Sequence, residues 1–181
     1  MDKCNMTIKV ILMHVISARY LLAFIFYLPV ATMALPEDFD QPALIEYNNS
    51  EFLLVDGVQT LSGSIDNPAE VTQGTLKISG QEIIIERPNG EIKKVTVTGF
   101  PARYQQQPAI DQGLAIAEGA TIILDYESRQ MTAISDVTFT QDGNTWNSCQ
   151  VDYYLESKRV ITPSCENGEQ AQIIISPRNG Q

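Results

Sequence analysis

Histidine, cysteine and tryptophan are scarce in this sequence of 181 residues, which contains one, three and one of them respectively. The histidine, His14, lies in an N-terminal segment that we expect to be removed. The remaining chain then has no histidine for a Ser-His-Asp or Cys-His catalytic site or for a histidine-ligated metal site. The scarcity excludes these classes of enzyme, and we expect no metal in the mature chain.

Positive charge is scarce as well. The sequence has 12 basic and 22 acidic residues, of which three and one lie before residue 35, so the remainder carries a net charge of −12. A surface this acidic argues against nucleic acid as a partner and against electrostatic binding to anionic membranes.

The longest apolar run lies near the N-terminus. Three basic residues precede an apolar run at 20–33, which ends in small residues of the kind that a signal peptidase accepts. We therefore expect residues 1–34 to be a secretory signal peptide and residues 35–181 to form one domain. The alternative is an uncleaved membrane anchor, because residues 10–34 are apolar enough to span a bilayer of about 30 Å.

Two cysteines remain after such cleavage, Cys149 and Cys165. An even pair in an oxidising compartment favours a disulfide over a metal site or a nucleophile. Strands predicted at 151–155 and 159–162 leave a loop of three residues, which would set the two cysteines opposite each other in a hairpin. We expect a cross-strand disulfide there, whereas a turn of two or four residues would set the cysteines diagonally and leave them reduced.

The rest of the chain alternates between short apolar runs and turn signals. Between residues 71 and 85 apolar side chains recur at every second position, which is the period of a strand. The alternation slips near Gly74 and Gly80, where the backbone can bend while the apolar face still points inward. The predicted strands are 43–47, 51–55, 58–61, 71–73, 75–79, 82–86, 92–98, 102–105, 121–126, 131–134, 137–141, 151–155, 159–162 and 172–176. Strands this short indicate an all-β sandwich, jelly roll or barrel, with one helix predicted at 110–118.

One segment of the sequence also resembles a known protein family. The run Val71-Thr72-Gln73-Gly74-Thr75, followed by Lys77-Ile78, Arg87-Pro88 and Gly90-Glu91, resembles the hallmark of the periplasmic lipopolysaccharide-transport bridge proteins, the LptA (OstA-like) family. The similarity extends from Asp40 to about Val160. Residues 64–70 form a longer loop than the family has, which we expect to change the shape of the groove at that edge.

The resemblance implies an all-β fold, an antiparallel jelly roll folded as an open-ended V (a "β-taco"). It also implies a periplasmic protein that is not an enzyme, needs no cofactor and carries lipopolysaccharide. The implied partners are an inner-membrane anchored transport protein at the N-terminal edge and the outer-membrane translocon at the C-terminal edge. Copies of the chain would also associate head to tail. Because lipopolysaccharide and this chain are both anionic, burial of acyl chains must supply the affinity, at about 0.8 kcal/mol per CH₂.

The inward-facing apolar residues would line the lipid-binding groove of such a fold. They are Ile45, Leu61, Leu76, Ile78, Ile83, Ile85, Phe100, Ala102, Tyr104, Ile122, Leu124, Tyr126, Val137, Phe139, Val151 and Tyr153. Arg87 lies within the hallmark, and we expect it to contact lipid phosphate at the rim. Residue alternation alone cannot distinguish a channel from a filled core. Two alternatives therefore stay open: a membrane-anchored relative in the same pathway, and a secreted β-sandwich binding module with a filled core.

Overall fold

The computed structural model describes residues 38–108, 112–166 and 168–176. Within them, one turn of 3-10 helix at Asp38–Asp40 precedes a series of strands. The strands are β1 Leu44–Glu46, β2 Asn49–Leu53, β3 Val58–Ser62, β4 Ala69–Gln73, β5 Leu76–Gly80, β6 Glu82–Glu86, β7 Lys94–Gln106, β8 Ala115–Asp125, β9 Gln130–Gln141, β10 Asn144–Tyr154, β11 Arg159–Ile161 and β12 Gln172–Ile174. No helix in these residues is long and apolar enough to cross a membrane. The predicted signal peptide lies outside the described residues.

The strands form one antiparallel sheet, and its four long strands β7 to β10 pair in chain order. On the other side of β7, the first half pairs with β6 and the second half pairs with β5. The sheet therefore divides into two layers that share β7 to β10. The first layer continues through β6, β3 and β2, and the second through β5, β4 and β1.

The division follows a line of irregular pairing across the long strands, which we call the fold line. The register shifts between Thr98 and Ala102 in β7 and between Ser148 and Gln150 in β10. In β9, Ser135 and Asp136 have positive φ values of 65° and 54°. Such irregularities bend a strand while its apolar face stays inward, so each long strand passes from one layer into the other.

Inward-facing side chains of both layers form one apolar cluster. The period-two alternation of each strand places them there, and none of the buried apolar side chains is more than 3% exposed. Contact between the layers is direct, because the Phe139 ring of the second layer lies 5.2 Å from the Tyr153 ring of the first. The interior in this structure is therefore filled by side chains.

Two sequence predictions are wrong in this part of the fold. Residues 115–118 are the start of β8 and not a helix, and the residues at 109–111 lie outside the described residues. Ala115 and Ala117 are buried while Ile116 faces outward. Their small size led to the helix prediction, but their alternation is that of a strand. The predicted pairs of strands within β7 and β9 are also continuous strands, interrupted only by the fold line.

Candidate functional site

The predicted groove residues occupy the interior with one clear exception. Thirteen of the sixteen are buried, and Ile45 and Tyr126 are partly buried against the same cluster. Phe100 is 83% exposed, so its predicted inward position is wrong. It lies within the register shift of β7, where the alternation restarts and the residue before Pro101 turns outward.

Further interior residues were missing from the prediction. They are Ala69, Val71, Val95, Val97, Ala115, Ala117, Met131 and Ala133. The inward positions of Val95 and Val97 could have been predicted, because these residues alternate within a predicted strand. The alanines could not have been placed in this way, since a small side chain is compatible with a helix, a strand or a surface position.

A row of polar residues closes the interior on the side opposite the fold line. Gln73, Gln106 and Gln141 hold the last inward positions of β4, β7 and β9 and are 5%, 7% and 7% exposed. Asp38, from the 3-10 helix, is 8% exposed beside them. With three tyrosines they form a line that we call the seam: Asp38, Gln73, Tyr104, Gln106, Tyr126, Gln141 and Tyr153. Polar groups buried in this way must pair, because an unpaired one costs free energy.

Hydrogen bonds between seam residues connect the layers. The Tyr126 hydroxyl of the first layer donates to Gln73 Oε1 of the second at 3.2 Å. The Gln141 Nε2 of the second layer donates to the Tyr153 hydroxyl of the first at 3.3 Å. The layers that share backbone at the fold line are therefore joined at the seam by side chains.

Other seam bonds attach the N-terminal segment to the second layer. Asp38 accepts hydrogen bonds from the Thr75 backbone N–H at 2.7 Å, the Thr75 hydroxyl at 2.6 Å and Gln106 Nε2 at 2.6 Å. The Gln41 carbonyl accepts from Gln73 Nε2 at 2.7 Å. We call residues 38–41 the strap. Gly74 permits this docking, because its φ is +60° and a Cβ there would fall on an Asp38 carboxylate oxygen.

The seam tyrosines are held in their neutral form. Burial raises the pKa of Tyr104 well above its ordinary value, with smaller contributions from Tyr153 and Asp38. Burial also raises the pKa of Tyr126 to about 12 and raises that of Tyr153. Near neutral pH each hydroxyl therefore keeps its proton for hydrogen bonding.

The first layer carries Arg87 and a small cleft near the seam. The Arg87 guanidinium lies 5.0 Å from the centre of the Phe52 ring, and within the described residues its buried Nε has no hydrogen-bond partner. The cleft has a volume of about 300 Å³ and is lined by Pro88, Asn89, Glu91, Ile92, Lys93, Tyr126 and Glu127. The Lys93 ammonium is 3.8 Å from Glu127 with both side chains mostly exposed, so this ion pair is weak.

The loop predicted at 64–70 is shorter in the structure, because Ala69 and Glu70 belong to β4, and residues 64–68 lie outside the interior. Residues 64–68 border an outer cleft of about 730 Å³, lined mainly by outward-facing residues of the second layer. The loop is closed by a hydrogen bond from Ser64 N–H to the Asn67 carbonyl at 2.8 Å. It is also tied to the preceding turn by Asn67 Nδ2 and Asn48 Oδ1 at 2.6 Å.

The sheet ends at two pairs of edge strands. β1 and β2 form the N-terminal pair, and β11 and β12 form the C-terminal pair. Every residue of β2 and of β12 is exposed. Unpaired backbone groups at such edges can hydrogen-bond to a strand of another chain.

The disulfide between Cys149 and Cys165 is present, with a Cα–Cα distance of 5.8 Å, but the predicted hairpin geometry is wrong. Tyr154 pairs with Arg159, so four residues form the turn, and the ladder ends where Asp152 pairs with Ile161. Cys165 lies beyond β11, in the segment that crosses to β12. Because that segment is not paired with β10, the register of the hairpin does not fix the position of Cys165. Cys165 can therefore reach Cys149 even though the turn has four residues.

The fold and its interior define an antiparallel sheet folded on itself, unclosed at both edges, that encloses apolar side chains. The chain belongs to the family described as LptA/(LptD N-terminal domain) LPS transport protein, which matches residues 46–159. The predicted family is therefore confirmed.

Individual relatives agree with this assignment. The lipopolysaccharide export system protein LptH of Pseudomonas aeruginosa is 30% identical over 147 residues, which cover 81% of this chain and 79% of the relative. The lipopolysaccharide export system protein LptA of Escherichia coli is 25% identical over 151 residues, covering 82% and 78%. The crystal structure of LptH, described as the LptA-homologous periplasmic component of the lipopolysaccharide transport device, matches with a TM-score of 0.71 and 25% identity. It covers 78% of this chain and all of the solved chain. The predicted fold is confirmed as well.

Proposed function

We propose that this protein carries lipopolysaccharide through the periplasm, with the acyl chains held between the two layers and the sugars in water. The observation that carries the proposal is the interior itself, in which two layers of one unclosed sheet present apolar side chains to each other. Acyl chains would replace side-chain contacts there, and their burial would supply the affinity that an acidic chain cannot gain from charge. The protein acts as a carrier and not as an enzyme.

Arg87 is the residue that we propose for lipid phosphate at the rim. Its buried Nε is a donor that a phosphate oxygen would satisfy, and its position over the Phe52 ring orients the guanidinium. Lys93, in the cleft next to Tyr126, is the second cation on this side of the interior.

The edges suit assembly by strand addition. An inner-membrane anchored transport protein would pair at the N-terminal edge, where β2 is exposed throughout. The outer-membrane translocon would pair at the C-terminal edge, where Ile173 and Ile174 of β12 are 52% and 58% exposed. A second copy presents both kinds of edge, so head-to-tail association uses the same surfaces.

Photocrosslinking in cells tests the proposal. A photoreactive residue at Ile78, which is 1% exposed in the interior, should crosslink to lipopolysaccharide. The matched control is Lys77, whose side chain is 50% exposed and contacts Glu70 on the outer face. Crosslinking at both positions or at neither would contradict lipid transport through the interior.

A secreted binding module with a filled core is the second candidate, and the dense interior favours it. In that case purified protein would bind partners at its edges but take up no lipopolysaccharide. A membrane-anchored relative with the same fold would be recognised by mass spectrometry of an uncleaved N-terminus.

A further inference from the structure

In the part of the chain that the structure describes, the seam is a weaker connection between the layers than the fold line. At the fold line four continuous strands join the layers, so separating them there would break backbone ladders. At the seam the connections between layers are side-chain hydrogen bonds, at 3.2 Å for Tyr126 with Gln73 and 3.3 Å for Gln141 with Tyr153. Both distances are long for such bonds, and such bonds weaken with length.

The strap fixes two seam glutamines, of which Gln73 connects the layers and Gln106 pairs within its own strand. Gln73 donates its amide N–H to the Gln41 carbonyl, which leaves its Oε1 aimed at the Tyr126 hydroxyl. Gln106 donates to Asp38 in the same way and accepts from the Tyr104 hydroxyl at 2.6 Å. An amide group has one donor end and one acceptor end, so anchoring the donor sets where the acceptor points. Asp38 and Gln41 thus hold two seam glutamines in the orientation that pairs with tyrosine.

We propose that the seam is a lateral entrance to the interior and that the strap is its latch. With the strap docked, the glutamines and tyrosines pair with one another and the apolar side chains are enclosed. With the strap released, the layers separate at the seam and rotate about the fold line, which admits acyl chains sideways. The freed amide and hydroxyl groups then lie at the depth where an amphiphile has its own ester and amide linkages, to which they can hydrogen-bond. The inference rests on the proposed function, since it concerns how the same ligand enters.

A crosslink across the seam tests the entrance. Gln73→Cys combined with Tyr126→Cys, joined by a short bis-maleimide, would tie the layers together while the native disulfide stays oxidised. The matched control is Thr72→Cys with Lys77→Cys, because these residues are paired neighbours within the second layer. Two probes are used: the apolar dye N-phenyl-1-naphthylamine and fluorescently labelled lipopolysaccharide.

We expect uptake of both probes to slow at least tenfold in the seam-linked protein and to stay unchanged in the control. Equal uptake by both crosslinked proteins would overturn the inference and direct attention to the open edges. If the unlinked protein takes up the dye through the seam but never lipopolysaccharide, the proposed function fails while the seam stands as the entrance.

A strap variant provides a test without crosslinking. Asp38→Ala removes the acceptor of three hydrogen bonds and should accelerate dye uptake several-fold. Asp40→Ala, in the same turn but exposed, is the control and should leave the rate unchanged. Circular dichroism verifies that both variants remain folded. A folded Asp38→Ala protein that takes up dye no faster than Asp40→Ala would refute the role of the strap.

Discussion

The fold line and the seam join the layers of this protein on opposite sides of the shared apolar interior, and they are built in opposite ways. The fold line is covalent and closely packed: a Cβ on Gly80 would lie 2.5 Å from both the Thr98 carbonyl oxygen and Val97 Cγ1. The seam is built from buried polar side chains that pair across the layers through long hydrogen bonds, at 3.2 Å and 3.3 Å. A carrier that must keep its fold while admitting a ligand needs one permanent joint and one that separates. We therefore infer that the fold line is the permanent joint and that the seam is the joint that separates.

A charged side chain introduced into the interior, between the fold line and the seam, should have the largest effect on stability and on lipid binding. Ile78→Glu places a carboxylate among apolar side chains of both layers, which should destabilise the domain by several kcal/mol and abolish lipid binding. Lys77→Glu, on the outer face, loses only a surface ion pair with Glu70, worth about 0–1 kcal/mol. Urea unfolding measures both variants. Equal tolerance would show that the inward assignment of β5 is wrong.

Loss of the disulfide should have the next largest effect. Cys149 lies in the register shift of β10, and its bond to Cys165 closes a sequence separation of 16 residues. The double variant Cys149→Ser with Cys165→Ser should lower the free energy of unfolding by about 3 kcal/mol in the chain-entropy account. The variant should also loosen β12, because Cys165 lies in the segment that leads to that strand. Titration of the native protein that finds two free thiols in residues 35–181 would contradict the bond.

A methyl group at the fold line should destabilise the protein by a smaller amount. Gly80→Ala forces the Thr98 carbonyl and the Val97 side chain to move, and overpacking of this kind costs about 1–3 kcal/mol. Uptake of lipid should be unaffected per folded molecule, because the seam is unchanged. Thermal unfolding measures the loss of stability. Lipid uptake by the folded variant is then compared with uptake by the parent protein. A Gly80→Ala protein as stable as the parent would indicate that the fold line is loosely packed.

The predicted strands agree with the structure where apolar and polar positions alternate without interruption. The predictions fail at the fold line and at the seam, where the alternation is interrupted. Residues 82–86 were predicted with the bounds of β6, because Ile83 and Ile85 occupy every second position and glutamates bound the run. The long strands were divided or shortened at the fold line, since bulged residues look like turns when read singly. Phe100 was placed inside for the same reason.

The seam could not be predicted because its residues are polar. Gln73, Gln106 and Gln141 continue the inward alternation of their strands, but none of them was predicted to line the interior. Polar side chains are mostly exposed in proteins, so a buried glutamine becomes evident only when its partners are seen. Those partners are distant in the sequence: Asp38 and Gln106 are 68 residues apart, and Gln73 and Tyr126 are 53 apart.

The C-terminal edge should matter for assembly more than for stability. Deletion of residues 172–181 removes β12, whose residues are all exposed, and bares the second-layer half of β10. If the proposed assembly by strand addition is correct, self-association and docking to the proposed translocon partner should both weaken, with the remaining fold retained. Analytical ultracentrifugation and circular dichroism measure the two properties. Unchanged oligomerisation after the deletion would exclude this edge from the assembly.

Removal of a tyrosine hydroxyl from the seam should have the smallest effect on stability. It is also the change most specific to the seam. Tyr126→Phe removes one bond between layers and should cost about 0.5–1.5 kcal/mol at neutral pH. Because burial raises the pKa of Tyr126 to about 12, the folded state favours the protonated hydroxyl. Its contribution is therefore fully present below the ordinary tyrosine pKa of about 10 and is lost as the pH rises towards 12.

Dye uptake by the native protein should accordingly accelerate between about pH 10 and pH 12, as ionised tyrosines oppose closure of the seam. Tyr104 and Tyr153, whose pKa values are raised by the same cause, contribute to this acceleration. Tyr126→Phe should take up dye faster than the native protein at pH 8 and show a weaker acceleration above pH 10. Tyr154→Phe is the matched control, because that tyrosine faces outward against Arg159. If both variants kept the native pH profile, the Tyr126 hydroxyl would have no part in holding the layers together.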